Sequence, residues 1–219
     1  AIIGSSSAVV PGAAGDTTSL MIEDRDIRNL VLADGPAGLR LSKHFKADAE
    51  GNVIPGTSDA PIPGMDLLMA GSPKPEIPED AIDYYQYCTA IPIATLLAQT
   101  WDVDAIKECG DIVGEEMKEF GVTLWLAPGM NIHRNPLNGR NFEYISEDPI
   151  LTGRICAAQV KAMAKSGIGS TIKHFCGNNQ EVGRSTSDSV ISERALREIY
   201  LKGFEIAVKE SQPLSIMTS

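Results

Sequence analysis

Positive charge is scarce in this chain: 19 Lys and Arg stand against 29 Asp and Glu, for a formal net charge of -10 over 219 residues. A phosphate backbone rewards a surplus of Lys and Arg, so nucleic acid is not an expected partner. Histidine is scarcer still. His44, His133 and His174 make no HxxxH or HExxH pattern, and no metal is expected. The four cysteines, Cys88, Cys109, Cys156 and Cys176, show neither CxxC spacing nor a paired pattern. That argues against a disulfide framework or zinc site and for free thiols in a reducing, cytoplasmic compartment. No run reaches the ~18 consecutive apolar residues of a membrane span. GxGxxG and GxxxxGK[ST] loops are missing too, which removes the commonest phosphate cradles, and no cofactor is expected. The start, AIIGSSSAVVPGAAGDT, lacks both a basic n-region and an initiator Met, so a processed or internal segment is expected there rather than a signal peptide.

What is present suits one globular domain: 43% hydrophobic and 22% charged residues can bury a sizeable core. Residues 1–24, rich in Gly, Ala, Ser and Pro, are expected to be a linker or irregular entry, with the domain proper over 25–219. Leu30–Ala33 is a short apolar run broken by Asp34, Gly35 and Pro36, the pattern of a buried strand entering a loop. Residues 41–90 hold many prolines and glycines and form an expected loop insertion that walls a site. Then the pattern alternates. Val103, Ile106, Ile112, Val113, Met117 and Phe120 fall at helical spacing before Gly121. VTLWLAP is a strand, and Asp148 with Pro149 opens a helix that ends at Gly167. GSTIKHF is the next strand. Ser192 caps one further helix running to Pro213, and LSIMTS is the last strand.

Four apolar strands separated by helices predict parallel βαβ units, because parallel neighbours need a crossover. The fold class is therefore α/β, a partial TIM-type (β/α)8 barrel of roughly its first half, whose site lies at the C-terminal ends of the strands. A half barrel leaves apolar edges uncovered, so the remainder is expected in a parent protein.

The informative residues gather at those strand ends: Asp34 and Arg40 after the first, Asn131 to Arg140 after the second, Lys173 and His174 at the third. Such a cluster can bind phosphate or a carboxylate, form a Schiff base through Lys173, or hydrogen-bond sugar hydroxyls. Sugar hydroxyls are donors and acceptors at once, and fixed charged partners suit them. Plainer roles compete for several residues. Arg134 and Arg40 also fit structural salt-bridge partners, and His44 and His133 fit ordinary loop positions. Glu143 fits a brace for Arg140 or Lys173, while Glu115 and Glu116 fit a solvated helix face. Trp125 belongs in the core, and Trp101 is better placed to approach a sugar.

The segments DGPAGLR (34–40), LWLAPGMNIHRNPLNGRNFEYISEDP (124–149) and KHFCGNNQEVGR (173–184) together resemble the N-terminal barrel domain of glycoside hydrolase family 3, β-glucosidase type. The resemblance covers roughly residues 25–219. It implies a retaining, exo-acting enzyme that hydrolyses terminal non-reducing β-D-glucosyl residues. Asp34 would accept hydrogen bonds from the sugar, with Arg40, Arg140, Lys173, His174 and Arg184 completing the ring and Met217 approaching its wall. It also implies that no catalytic residue lies in this chain: the nucleophile Asp is expected beyond Ser219 and the acid/base in an α/β sandwich domain. The 219 residues alone are then expected to be inactive, with the rest of the barrel and that sandwich domain as partners beside a β-glucoside or oligosaccharide substrate. The His and Asp acid/base pair of the family's N-acetylglucosaminidases is disfavoured, because this loop reads KHFCGNNQE. β-Xylosidase or another specificity of the family, a Schiff-base aldolase and a non-catalytic sugar-binding remnant remain the alternatives.

Overall fold

The computed structural model describes residue 7 and residues 9–17, 28–59 and 76–219. Most of the expected entry segment and the middle of the expected insertion, residues 60–75, lie outside the described residues. The strands are β1 (Gly15–Asp16), β2 (Val31–Ala33), β3 (His44–Ala47), β4 (Ile82–Tyr85), β5 (Leu124–Trp125), β6 (Gly169–Phe175) and β7 (Ser215–Thr218). The helices are α1 (Ala94–Gln99), α2 (Val103–Glu119), α3 (Pro149–Lys165), the single turn α4 (Glu193–Ala195) and α5 (Lys202–Ser211).

The main sheet has the order β1-β2-β5-β6-β7, and from β2 onward each strand is parallel to the next. Each parallel pair is joined through helix, α2 before β5, α3 before β6 and α5 before β7. This repeated crossover is a partial (β/α) barrel. β5 keeps only two strand residues, yet the chain beyond it stays attached through Leu126 N–H to Ala33 C=O and Met130 N–H to Lys173 C=O.

The helix signals act as their chemistry dictates. Asp102 accepts from the amides of Asp104 and Ala105, and Asp148 from that of Leu151. Gly121, at φ 71°, takes the left-handed turn that releases the chain from α2 into β5. Ile106, Val113 and Met117 face the core, while Val103 and Ile112 lie on the outer side of the same helix. One cluster joins Ile106, Ile155, Val160, Ile172 and Phe204, and a second joins Val31, Ala33, Val113, Trp125 and Met163. Each Val, Ile, Phe or Met among them contributes about 1.5–3 kcal/mol on burial. α3 and α5 cross at a glycine, since a Cβ on Gly153 would come within 2.7 Å of Ile206 Cβ and 3.0 Å of the Gly203 carbonyl.

Three features depart from expectation. The entry segment supplies β1, antiparallel to β2, and buries Val10 in the second cluster. The 41–90 insertion contains the antiparallel hairpin β3–β4, which places His44 in a strand, paired with Asp83 at 2.6 Å. The helix after Ser192 is not continuous: Leu196–Tyr200 is π-helical, with Leu201 N–H reaching Leu196 C=O. That wider turn accompanies a buried Tyr200 whose ring lies under the Arg134 guanidinium, 5.9 Å from its centroid. Arg134 thus meets an aromatic face, where a salt bridge was one expectation.

Candidate active site

Three consecutive strand ends converge on one ammonium group. Lys173, near the end of β6, is buried, with a side chain only 3% exposed. Its Nζ donates to Asp34 Oδ1 at 2.8 Å, just past β2, and lies 3.8 Å from Glu143 Oε2 in the loop after β5. A buried charge needs such partners, because desolvation would otherwise dominate. Asp34 also accepts from Arg40 at 2.9 Å and from the Gly35 amide at 3.0 Å. Partial burial pushes its carboxyl up, but Lys173, the Gly35 amide and Arg40 together hold it below the usual carboxylate range. Asp34 is therefore an ionised acceptor. Glu143, buried as well, braces both cations, since Arg140 Nε donates to its other oxygen.

His174 is fixed from four directions. Asn131, itself buried, donates to the His174 carbonyl at 2.8 Å and accepts its N–H at 2.7 Å, standing in for a strand neighbour. Burial first, then the charges of Arg140 and Lys173, push the imidazole down to about 3. The ring is neutral at ordinary pH, so only one nitrogen carries a proton. Arg140 NH2, a donor only, lies 3.0 Å from Nε2, which makes Nε2 the acceptor and Nδ1 the N–H. Nδ1 then donates to Tyr144 Oη at 3.1 Å, which also accepts from Asn178 at 2.9 Å. Both imidazole nitrogens are engaged, and any further donor reaches Nε2 only by sharing it with Arg140.

The remaining expected site residues lie at the margin. Met217 is the register partner of Lys173 across β6 and β7, so their side chains leave the same face of the sheet. Arg184 is exposed and pairs with Glu181 at 3.0 Å; Glu181 in turn lies 4.0 Å from Arg140. Four cations, Arg40, Arg140, Lys173 and Arg184, thus face three carboxylates, Asp34, Glu143 and Glu181, one positive charge in excess inside an acidic protein. Tyr144, Asn178 and Glu181 were not singled out by the sequence, and Asn131 only as the start of the stretch that runs to Arg140. Their signal was only that they fall in the same two segments as Arg140 and Lys173.

Other residues fall away from this ring. Trp101 is 73% exposed and lines a separate hollow with Gln99, His133 and Glu147. Glu116 is not simply solvated, since it accepts the Thr89 amide at 2.7 Å. All four thiols are free, and burial with nearby Glu116 pushes Cys88 up to about 11, which leaves it unreactive. Among the described residues no group of three His, Cys, Asp or Glu could hold a metal, and no helix is long and apolar enough to cross a membrane.

Comparison with known proteins points the same way. Residues 81–219 match the model of the glycosyl hydrolase family 3 N terminal domain. A beta-glucosidase of Ruminococcus albus is 44% identical over 198 residues, 90% of this chain and 20% of that protein. An exo-alpha-(1->6)-L-arabinopyranosidase of Bifidobacterium longum is 37% identical over 94% of this chain and 23% of its own length. Among solved structures, beta-glucosidase 3B from Thermotoga neapolitana in complex with alpha-D-glucose superposes with a TM-score of 0.74 and 44% identity, over 95% of this chain and 24% of that one. The chain spans about a fifth of the length of the curated relatives it matches. With the strand-end ring, the matched domain and these relatives in agreement, the chain belongs to glycoside hydrolase family 3 and carries part of its N-terminal barrel domain.

Proposed function

We propose that this chain is the sugar-positioning part of a retaining, exo-acting β-glucosidase that removes terminal non-reducing β-D-glucosyl residues. The observation that carries the reading is Asp34, a carboxylate kept ionised at the strand ends by a buried lysine and an arginine. An acid held this way makes a poor proton donor near neutral pH but a strong, directional acceptor for sugar hydroxyls. Arg40, Arg140, Lys173 and Arg184 supply donors around it, His174 orients Arg140, and Met217 gives the ring an apolar wall. Lys173, ion-paired to two carboxylates, serves as a hydrogen-bond donor rather than as a Schiff-base amine.

A retaining glycosidase needs two carboxyls ~5–5.5 Å apart, one of them a nucleophile and the other an acid/base. Asp34 and Glu143 are both committed to cations, so the reading places neither in those roles. The nucleophile would be an Asp on a strand following Ser219, and the acid/base would come from an α/β sandwich domain. What the described ring would contribute is orientation of the sugar for in-line attack at its anomeric carbon.

The test is proton NMR of the first-formed product from an aryl β-glucoside and the complete protein. β-Glucose appearing first supports the reading; α-glucose first overturns retention. No turnover of any aryl glycoside favours the sugar-binding remnant. The arabinopyranosidase relative gives one specific reason for a second specificity. A kcat/KM higher on aryl β-xyloside or α-L-arabinopyranoside than on the β-glucoside would replace the sugar assignment.

A further inference from the structure

Behind the turn that carries Glu143 lies a hollow of about 340 Å³, and none of its lining residues belongs to the ring. Tyr144 stands between the two. Its carbonyl accepts from Thr95 Oγ1 at 2.9 Å, in the wall of the hollow, while its phenol meets His174 in the ring. The hollow is thus a place of its own, with room for a ligand the size of one hexose.

Trp101 lines it, exposed, on a backbone that a large side chain seldom adopts, at φ 56°. The Ala98 carbonyl of α1 accepts its N–H at 3.2 Å, and the next residue, Asp102, already caps α2, so the tryptophan is fixed in the corner between two helices. Folding alone would favour Gly or Asn in this left-handed corner. A tryptophan there accepts strain and leaves its ring in water, which is the kind of outlier that points to a function. Polar groups with no protein partner surround it. Among the described residues, the Gln99 amide, the Glu147 carboxylate and the indole N–H make no hydrogen bond or ion pair. His133, in contrast, is held: Nε2 donates to the Asn141 carbonyl at 3.0 Å and the backbone N–H to the Ser146 carbonyl at 3.2 Å, which leaves Nδ1 without a protein partner.

One aromatic wall, one carboxylate and several neutral polar groups match the chemistry of a pyranose, which offers a C–H face to the indole and a rim of hydroxyls to Glu147, Gln99 and His133. A small cation would also be drawn to the indole and the carboxylate, but it would leave Gln99 and His133 unused. We propose that this hollow is a second sugar-binding site, separate from the strand-end ring, that holds one pyranose unit, free or within a chain, against Trp101. The inference goes beyond the reading of the ring and stands or falls apart from it.

The test is titration of glucose into the complete protein, followed by saturation-transfer NMR. The Asp34→Ala variant, impaired in the ring, should keep a saturable glucose site. Adding Trp101→Asn, which suits the left-handed backbone but removes the indole, should weaken that site at least ~10-fold, about the worth of one aromatic contact. Gln99→Ala/Glu147→Ala, which leaves the backbone at position 101 as it is, should weaken it too. Trp101→Asn alone should leave kcat on an aryl β-glucoside within twofold of the parent. No saturable binding in Asp34→Ala, or binding indifferent to both sets of changes in the hollow, overturns the proposal. So does ethanolamine binding that needs Trp101 where glucose binding does not. A β-linked tetrasaccharide held through Trp101 more tightly than glucose assigns the hollow to a chain and otherwise to the free sugar, and either result supports the site. Unchanged glucose binding at every site in Asp34→Ala would remove the ring reading and leave a Trp101-dependent site standing.

Discussion

Replacing Lys173 with Met keeps most of the stem's volume and removes one charge at the centre of the site. Nζ is the shared partner of Asp34 at 2.8 Å and Glu143 at 3.8 Å, in a side chain almost wholly out of water. Breaking a buried pair and stranding a charge costs about 3–5 kcal/mol. Here neither carboxylate is stranded, since Asp34 retains Arg40 and the Gly35 amide and Glu143 retains Arg140. The loss should therefore approach that of one charged hydrogen bond, about 2–3 kcal/mol of transition-state stabilisation. That corresponds to a ~30- to ~150-fold fall in kcat/KM on an aryl β-glucoside. Urea unfolding of the same variant shows how much of the effect is stability. Lys173→Arg should not rescue, because a planar fork cannot occupy the place of a compact ammonium between two carboxylates. The double variant Asp34→Asn/Lys173→Met should lose less than the two single losses combined, with a coupling above ~1 kcal/mol. An unchanged kcat/KM in Lys173→Met, or strict additivity in the cycle, would refute the reasoning.

Further outcomes follow from the geometry. His174 is held near a pKa of about 3 in the folded protein, so between there and its ordinary 6.5 the unfolded chain binds a proton that the folded one does not. Stability should fall as pH drops through that window, by up to ~1.4 kcal/mol per pH unit, and His174→Gln should flatten the dependence seen in urea titrations from pH 4 to 7. The depressed Asp34 carboxyl acts lower, its contribution being present above pH 3.8 and lost as pH falls through its folded value. Gly153→Ala would force a methyl to 2.7 Å from Ile206 Cβ, and thermal unfolding should show a loss of about 1–3 kcal/mol. Asn131→Leu strands the buried N–H and C=O of His174; kcat should drop at least ~10-fold through misplacement of the imidazole and Arg140, and an unaltered kcat would remove Asn131 from the frame.

The parts legible in the sequence are those encoded locally. Asp102, Asp148 and Ser192 cap helices because a short acceptor side chain reaches amides two or three residues ahead. Lys173 and Asp34 stood out because a charge directly after an apolar run marks a strand end. Glu143 was recognisable as a brace, though its joint hold on Arg140 and Lys173 was not. The illegible parts join distant positions. Asn131 meets His174 across 43 residues and Tyr144 meets it across 30, with no periodicity to announce either contact. β1 escaped notice because two residues carry no alternation, and the β3–β4 hairpin because its strands are separated by a long Pro- and Gly-rich stretch. The π-helical segment was hidden for the opposite reason: its residues fit a regular helix, and the contact of Tyr200 with Arg134 that accompanies the wider turn joins positions 66 residues apart.

The ammonium of Lys173 works as a rivet through three neighbouring strand ends, and a rivet removes freedom from what it joins. The loops leaving those strands cannot shift separately without breaking an ion pair in a dry setting. The β3–β4 hairpin, in contrast, is hung between β2 and α1, outside the riveted frame. The molecule thus separates a fixed frame at three strand ends from a peripheral strand pair that can change without disturbing it. Such a division lets the β3–β4 segment vary in length and sequence while the geometry of the Lys173 cluster stays constant.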